Sequence, residues 1–344
     1  MSERILWYVH DHGRGHLDRA RAVIPRLSAP VVVAAAPRVA ADADRVLDAT
    51  VIRLPDDVGD TAACTVGPWH HAPAGTAVRA RALAIADAVR THDCTTAVVD
   101  VSMEATVLSR LLGLRVVTLR QSGRRDDAAH RTGLASADRV WVPQHRDLEP
   151  HVDDADDRWM FSGSFSRFDG VRVPDADVDR WSPGDGIRLA VIVLGAGGTA
   201  FPMSSWCAGI LPDGWNAVIV GHHRRWARGR VASIGRLEAL LPLLTAADLL
   251  ITSSGWGSVA DAVAAGVERL VVVPEDRPFD EQRVRAAALQ ATGLAVRSHG
   301  WPVPSDLGAL DEQAAHLDHA SWSHFHDGHG AQRAAALIDE VHAA

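Results

Sequence analysis

ITSSGWGSVADAVAAGVERLVVVPEDRPFDEQ, residues 251–282, holds a complete strand–turn–helix–strand unit. The apolar run from Asp248 to Thr252 has the length of a buried strand, and Ser253-Ser-Gly-Trp-Gly-Ser258 ends it as a glycine turn. The small and apolar residues that follow form a helix with one carboxylate, Asp261, in its first turn. After Gly266 a second strand runs from Leu270 to Val273, and Pro274 opens an acidic loop ending at Glu281-Gln282. A glycine turn feeding a helix leaves backbone N–H groups unpaired at the positive end of the helix dipole, which suits a phosphate. Ser254, Gly255, Trp256, Gly257 and Ser258 are therefore candidate diphosphate contacts. Asp261 can reach ribose hydroxyls, and Glu281 and Gln282 can bond another polyhydroxylated group. Diphosphate, ribose and sugar acceptors in that order describe a nucleotide-sugar site.

The same alternation extends outward in both directions. Ile5–Val9 is a buried-strand run, followed by a glycine loop from His10 to Gly15 and a helix from about His16 to Leu27. Val31–Ala35, Ala97–Asp100, Arg115–Leu119 and Val140–Val142 are further strands, with a helix over Met103–Leu112. The pattern changes near WMFSGSFSR, residues 159–167, and the Asp- and Pro-rich stretch Asp169–Gly186 reads as a linker. A second series begins at Arg188–Leu194 and includes Ala217–Val220, Leu249–Ile251 and Leu270–Val273. Strands alternating with helices predict parallel sheets covered on both faces. The expected architecture is α/β with two Rossmann-like domains, residues 1–166 and 187–328, joined by a linker over 167–186. An Ala-rich helix ends the chain within 329–344.

Composition narrows the function. With 344 residues, 47% hydrophobic and 23% charged, the chain is an ordinary globular one with room for two domains. A net charge of −8 argues against non-specific nucleic-acid binding. All 35 basic residues are arginine, which excludes a Walker A lysine and any Schiff-base mechanism. Cys64, Cys94 and Cys207 are scattered without metal-ligand spacing and are expected to be reduced. The charged approach Ser2-Glu3-Arg4 and the lack of an apolar window of ~18 residues predict a cytoplasmic protein without a membrane span.

Other motifs lie where strands give way to loops. In YVHDHGRGHLDR, residues 8–19, Gly13 and Gly15 let the backbone turn tightly and approach a ligand. A dinucleotide site is the rival, but Gly13-x-Gly15-x-x-Asp18 lacks the third glycine, and no acid follows the second strand at Ala36-Pro37-Arg38. His10, His12 and His16 crowd this turn, yet no Cys and no paired His-x-x-x-His motif on a helix accompanies them, so no metal is expected. VLGAGGTA, residues 193–200, is a second glycine loop, with Gly195, Gly197, Gly198 and Thr199 as phosphate contacts ahead of an expected helix. Asp100 and Gln121 sit at strand ends, where open α/β sheets bind ligands. Acceptor contact or helix capping by Asp100 or Ser102 both account for that segment. HHRRWARGR, residues 222–230, reads either as a stacking and phosphate surface or as a solvated loop. The cluster Trp322–His326 with His329 is expected to pack at the domain interface.

Taken together these segments resemble GT-B glycosyltransferases, in particular the MurG-like group (glycosyltransferase family 28 and its relatives). The resemblance rests on the glycine turn, Asp261, the Ala264-Ala-Gly266 step, the strand, Pro274 and Glu281-Gln282, and on the GxGH…R loop ending at Arg19. Such proteins usually carry Glu where this chain has Asp261, and Gln-Gln or Asp-Gln where it has Glu281-Gln282. The resemblance implies a nucleotide-sugar donor, UDP-linked, on the C-terminal domain and a hydroxyl acceptor on the N-terminal one. It makes His16 the general base, places Gly13, Arg14 and Gly15 beside the acceptor, and brings Arg167 to the diphosphate through the FSGSFSR segment. The backbone at Leu237 would read the nucleobase edge. The implied reaction inverts the anomeric centre and uses neither metal nor cofactor, and the last helix crosses back to the N-terminal domain. A nucleotide-sugar 2-epimerase and a non-catalytic nucleotide-sugar binder share the donor motif and stay open. The acceptor, a small molecule or a cell-envelope precursor, is not named by any motif. A lipid-linked one would want an apolar, basic-rimmed patch, for which Arg79, Arg81, Arg90 and Pro68-Trp69-His70-His71 are the candidates.

Overall fold

RILWYV, the strand Arg4–Val9 (β1), buries five of its six side chains, as a strand covered by helices on both faces must. The computed structural model of the chain describes residues 3–10, 15–56, 75–152, 156–195 and 198–344. After β1 come Gly15–Val23 (α1), Val31–Ala35 (β2), Pro37–Val46 (α2), Thr50–Arg53 (β3), Thr76–His92 (α3), Cys94–Asp100 (β4) and Met103–Leu111 (α4). Arg115–Leu119 (β5), Ala128–Ser136 (α5), Arg139–Val142 (β6) and Trp159–Phe161 (β7) complete the first half. The strands form one parallel sheet in the order β3-β2-β1-β4-β5-β6-β7.

A short exposed helix, Asp175–Asp179 (α6), lies in the connecting segment. The second half contains Arg188–Val193 (β8), Met203–Trp206 (α7), Trp215–Val220 (β9), Trp226–Arg228 (β10), Val231–Gly235 (β11), Leu241–Thr245 (α8), Leu249–Ser253 (β12) and Trp256–Ala264 (α9). Leu270–Val273 (β13), Glu281–Ala291 (α10), Val296–Arg297 (β14), Leu307–Ala314 (α11), Trp322–Phe325 (α12) and Gly330–Ala343 (α13) follow. The second sheet has the order β10-β11-β9-β8-β12-β13-β14 and is parallel except for the β10–β11 pair. Strand order reverses between β1 and β4 in one sheet and between β8 and β12 in the other. Open α/β sheets bind ligands outside such reversals.

Each sheet carries an apolar cluster on either face. The last helix, α13, belongs to the first sheet. Ala331, Ala334, Ala335, Ile338 and Val341, spaced for one helical face, pack in the same cluster as β1 and α1. Asp339 accepts from Ser28 Oγ at 2.7 Å, and the His342 carbonyl accepts from Arg115 at 3.1 Å. Trp322 and Phe325 join Leu148 of the first half inside a second-sheet cluster, so the tail cluster does lie where the halves meet.

Several local expectations change. The helix after His16 stops at Val23, because Pro25 cannot donate the next helical bond, and Ile24–Arg26 continues as a 3₁₀ turn. Asp261 is in the second turn of α9, not the first, since the helix begins at Trp256. The helix expected after the 195–198 glycine loop does not form there. Pro202 biases Phe201 away from helical geometry, Phe201 is buried, and only the four-residue α7 follows. Of the 222–230 run, residues 222–225 form a loop with His223, Arg224 and Arg225 exposed, and Trp226–Arg228 form the first strand of the β10–β11 hairpin, turned at Gly229 with φ +56°.

Candidate active site

The two reversal points face each other across a cleft of about 470 Å³, in the size range of small-molecule sites. One wall comes from the first half through Gly15, Asp18, Arg19 and Gln121, the other from the loops after β8, β9, β12 and β13.

The N-terminus of α9 opens onto this cleft. Gly255 precedes the helix, and the first helical bond is donated by Val259 to the Gly255 carbonyl at 3.2 Å. The N–H groups of Trp256, Gly257 and Ser258 therefore have no helical acceptor. Gly255, Trp256, Gly257, Ser258 and Asp261 all line the cleft. A Cβ built on Gly257 would meet nothing within 4 Å, so that position faces open space. Trp256 does a second job: its Nε1 donates to the Pro143 carbonyl at 2.6 Å, and Arg19 lies 5.3 Å from its ring centroid, which ties α9 to the first half. Ser254 is not at the surface of the site. It is fully buried and donates to the Gln282 carbonyl at 2.8 Å, while its neighbour Ser253 lines the cleft.

Glu281 and Gln282 both line the cleft. Gln282 Oε1 accepts from the Glu275 N–H at 2.8 Å, and Glu281 pairs with Arg125 of the first half at 3.4 Å. Arg125 also donates to Gln121 Oε1 at 3.2 Å. The backbone before Glu281 is held in an unusual conformation, with Phe279 at φ +62° and Asp280 at φ +53°. It is fixed by the opposite half, since the Phe279 carbonyl accepts from Arg124 N at 2.8 Å and Arg125 sits 4.5 Å over the Phe279 ring.

The second glycine loop contributes less than expected. Gly195 lines the cleft; Gly198 and Thr199 do not, and Gly197 lies outside the described residues. Thr199 Oγ1 accepts from Phe201 N at 3.1 Å, and the Gly198 carbonyl accepts from Arg277 at 2.7 Å, which brings that arginine to the cleft wall. Leu237 lines the deeper end with Val220, Leu240 and Leu244, an apolar slot edged by Arg236. Sequence reasoning did not single out Asp18, Gly221, Ser253, Arg236 or Arg277. Gly221 had one detectable signal, a glycine at a strand end, and a Cβ there would lie 2.5 Å from the Leu194 carbonyl.

Arg167 and Asp261 meet across the entrance. Arg167 is 3.0 Å from Asp261 Oδ2, and Ser166 donates to Oδ1 at 2.6 Å. Burial pushes the Asp261 carboxyl up to about 6, against the opposing pull of Arg167 and the Ser166 hydrogen bond. Arg167 and the expected ribose acid thus bind each other.

On the first-half side, Asp100 does not face the cleft as an acceptor contact. It is fully buried, and its oxygens accept from Arg19 at 2.8 and 3.1 Å. His16 Nδ1 lies 2.9 Å from Asp100 Oδ1 and 2.8 Å from Arg19 Nη2. Burial favours the neutral acid, but Arg19 and His16 overcome it and hold Asp100 well below the usual carboxylate range. An Nδ1–H donated to Asp100 leaves the lone pair on Nε2; acceptance from Arg19 places the proton on Nε2 instead. His16 is 5% exposed and does not itself line the cleft, as Gly15 and Arg19 do, and its ring centroid is 5.7 Å from that of His10. Gly13, Arg14 and His12 lie outside the described residues, as do Cys64 and Pro68–His71. The basic rim is not assembled: Arg81 is buried and bonds the Tyr8 hydroxyl at 2.8 Å and the Pro55 carbonyl at 3.2 Å. No described helix is long and apolar enough to cross a membrane.

No family model and no curated protein matches the sequence. Solved structures do. The glycosyltransferase of kitacinnamycin superposes with a TM-score of 0.71 at 20% identity over 99% of this chain and 100% of that one. The fold is GT-B. The calicheamicin glycosyltransferase CalG4 matches with a TM-score of 0.68 at 17% identity, covering 99% and 98% of the two chains. MurG of Acinetobacter baumannii matches at 0.61 and 14%, covering 99% and 100%. At these identities the likeness establishes the GT-B architecture, two Rossmann-like halves facing across a cleft.

Proposed function

We propose that the protein transfers a hexose-type sugar from a nucleoside diphosphate sugar, with uridine as the base, to a hydroxyl group on a small acceptor molecule, inverting the anomeric centre. The observation that carries this reading is the open N-terminus of α9, with Gly257 facing empty space, directly across the cleft from Arg19 and the buried His16–Asp100 pair. The diphosphate would lie on the N–H groups of Gly257 and Ser258, the base in the Leu237–Leu240–Leu244 slot, and the sugar toward Glu281, Gln282 and Gln121. Donor entry would exchange the Arg167–Asp261 contact for two others, Arg167 to phosphate and Asp261 to ribose.

In the transfer step the acceptor hydroxyl attacks the anomeric carbon from the face opposite the diphosphate. Its proton passes to His16 Nε2, while the Nδ1–H remains on Asp100, whose charge stabilises the imidazolium as it forms. The bond from the anomeric carbon to the diphosphate oxygen breaks, and the leaving charge is taken up by the α9 N-terminus and nearby arginines. Residues 1–166 together with α13 would form the acceptor half and 187–328 the donor half. A small acceptor rather than a lipid-linked one is favoured by Arg81, whose burial removes the centre of the basic rim, and by the natural-product glycosyltransferases among the fold neighbours.

The test is a transfer assay with UDP-sugars against a panel of hydroxylated small molecules, run on the native chain and on His16→Ala. Loss of at least ~100-fold in turnover with donor affinity retained is expected for a general base. A loss below ~10-fold removes His16 from that role. Conversion of nucleotide sugar without acceptor would replace transfer by isomerisation.

A further inference from the structure

Where the halves meet, among residues that do not line the cleft, lies a cluster that the transfer reaction does not use. His145 and Asp147 follow β6, and His324 projects from α12 at the point where the chain returns to the first sheet. His145 Nδ1 is 3.5 Å from Asp147 Oδ2, and His324 Nε2 is 3.6 Å from the same oxygen. The three ligand atoms all fall within 4.8 Å of one another. Bonds of about 2.0–2.1 Å in a tetrahedral zinc site place neighbouring ligand atoms roughly 3.3–3.4 Å apart, so two of the three edges are already near that spacing.

The rings are also held in place. Their centroids are 4.2 Å apart, and both imidazoles stand edge-on to Phe325, at 5.1 Å for His145 and 4.9 Å for His324. Phe325 is buried in the cluster that joins Leu148 to the second sheet, so it forms a rigid floor. The Asp147 N–H donates to His145 Nδ1 at 3.3 Å, a long bond whose lone pair an ion at this nitrogen would take over. The cluster is open to solvent on its outer side, with Asp147 57% and His324 61% exposed, so an ion has an entry path and water can fill a fourth position.

We propose that His145, Asp147 and His324 bind a divalent transition-metal ion of the zinc class, and that this ion staples the two GT-B halves together at the closed side of the cleft. Two imidazoles and one carboxylate suit zinc, nickel or copper and not magnesium or calcium, which take all-oxygen shells. The ion would link the loop 143–149 to α12. The same loop supplies the Pro143 carbonyl to Trp256 and Gln144 to Arg285 at 2.7 Å, so it bears directly on how the halves dock.

The test uses the full chain stripped with chelator and titrated with zinc chloride by calorimetry, beside His324→Ala and Asp147→Asn. One equivalent of zinc bound at micromolar strength is expected in the native chain, with affinity at least ~10-fold weaker in each variant. Zinc should raise the melting temperature of the native chain by several degrees and leave that of His324→Ala unchanged. Both altered side chains are mostly exposed, so the metal-free variants should melt within a few degrees of the native chain. Unchanged zinc affinity in both variants, or no uptake by the native chain, would overturn the proposal. Neither measurement involves sugar transfer, so the result stands apart from the proposed activity.

Discussion

Replacing Gly257 by aspartate separates the folding of α9 from its ligand chemistry. A Cβ at this position meets no atom within 4 Å, so the first added carbon has room. Aspartate is a better helix residue than glycine by about 0.3 kcal/mol, and a carboxylate in the first turn gains about 0.3–1 kcal/mol from the helix dipole. The free protein should therefore melt at its native temperature or slightly above it. The ligand meets the opposite effect. A carboxylate roughly 5 Å from a diphosphate, at an effective dielectric of about 20, costs about 3 kcal/mol per unit of phosphate charge. Affinity for UDP, measured by calorimetry, should fall at least ~100-fold. A fall of less than ~10-fold with melting unchanged would show that the diphosphate does not bind at this helix end.

Three further outcomes follow from the geometry. Asp100→Asn leaves the buried Arg19 charge without its carboxylate and His16 without its orienting acceptor. Thermal melting should show destabilisation of about 3–5 kcal/mol, and transfer should slow by at least ~100-fold. Asp261 has a folded-state value of about 6, above the ordinary range, so it contributes stability at pH below about 4 that is lost as pH rises through 6. Asp261→Asn should flatten that part of the melting-versus-pH curve, by up to about 3 kcal/mol, and an unchanged slope would contradict the burial argument. Gly123→Ala places a Cβ 2.5 Å from the Phe279 carbonyl at a position with φ +107°. Undocking of the 277–281 loop should lower the melting temperature and weaken nucleotide-sugar binding more than binding of the free nucleotide, since the loop carries Glu281.

The strands were legible because parallel sheets need continuous apolar runs. Arg115–Leu119 and Leu270–Val273 match residue for residue, and the paired glycine turns located both reversal points. What the sequence hid depends on neighbours brought from afar. Asp100 reads as a strand-end acid in one dimension, and only the approach of α1 turns it into the buried partner of His16 and Arg19. Arg81 reads as surface charge until Tyr8 and Pro55 enclose it. Ser253 ends β12 and lines the cleft, whereas Ser254, one residue past the strand, is buried and donates to the Gln282 carbonyl. The 195–198 loop was given a helix it does not have, since the glycine signal outweighed Pro202 four residues on. His324 is brought to His145 and Asp147 from a distant part of the chain, and no spacing rule links them.

The central claim is that the open end of α9 is a nucleoside diphosphate site. Calorimetric titration of the native chain with UDP, dTDP, GDP, ADP and NAD⁺ tests it most directly. The account predicts one site per chain, filled by UDP at micromolar concentration in preference to the purine nucleotides, and unaffected by a chelator. Binding of NAD⁺ alone, or of no nucleotide, would contradict it.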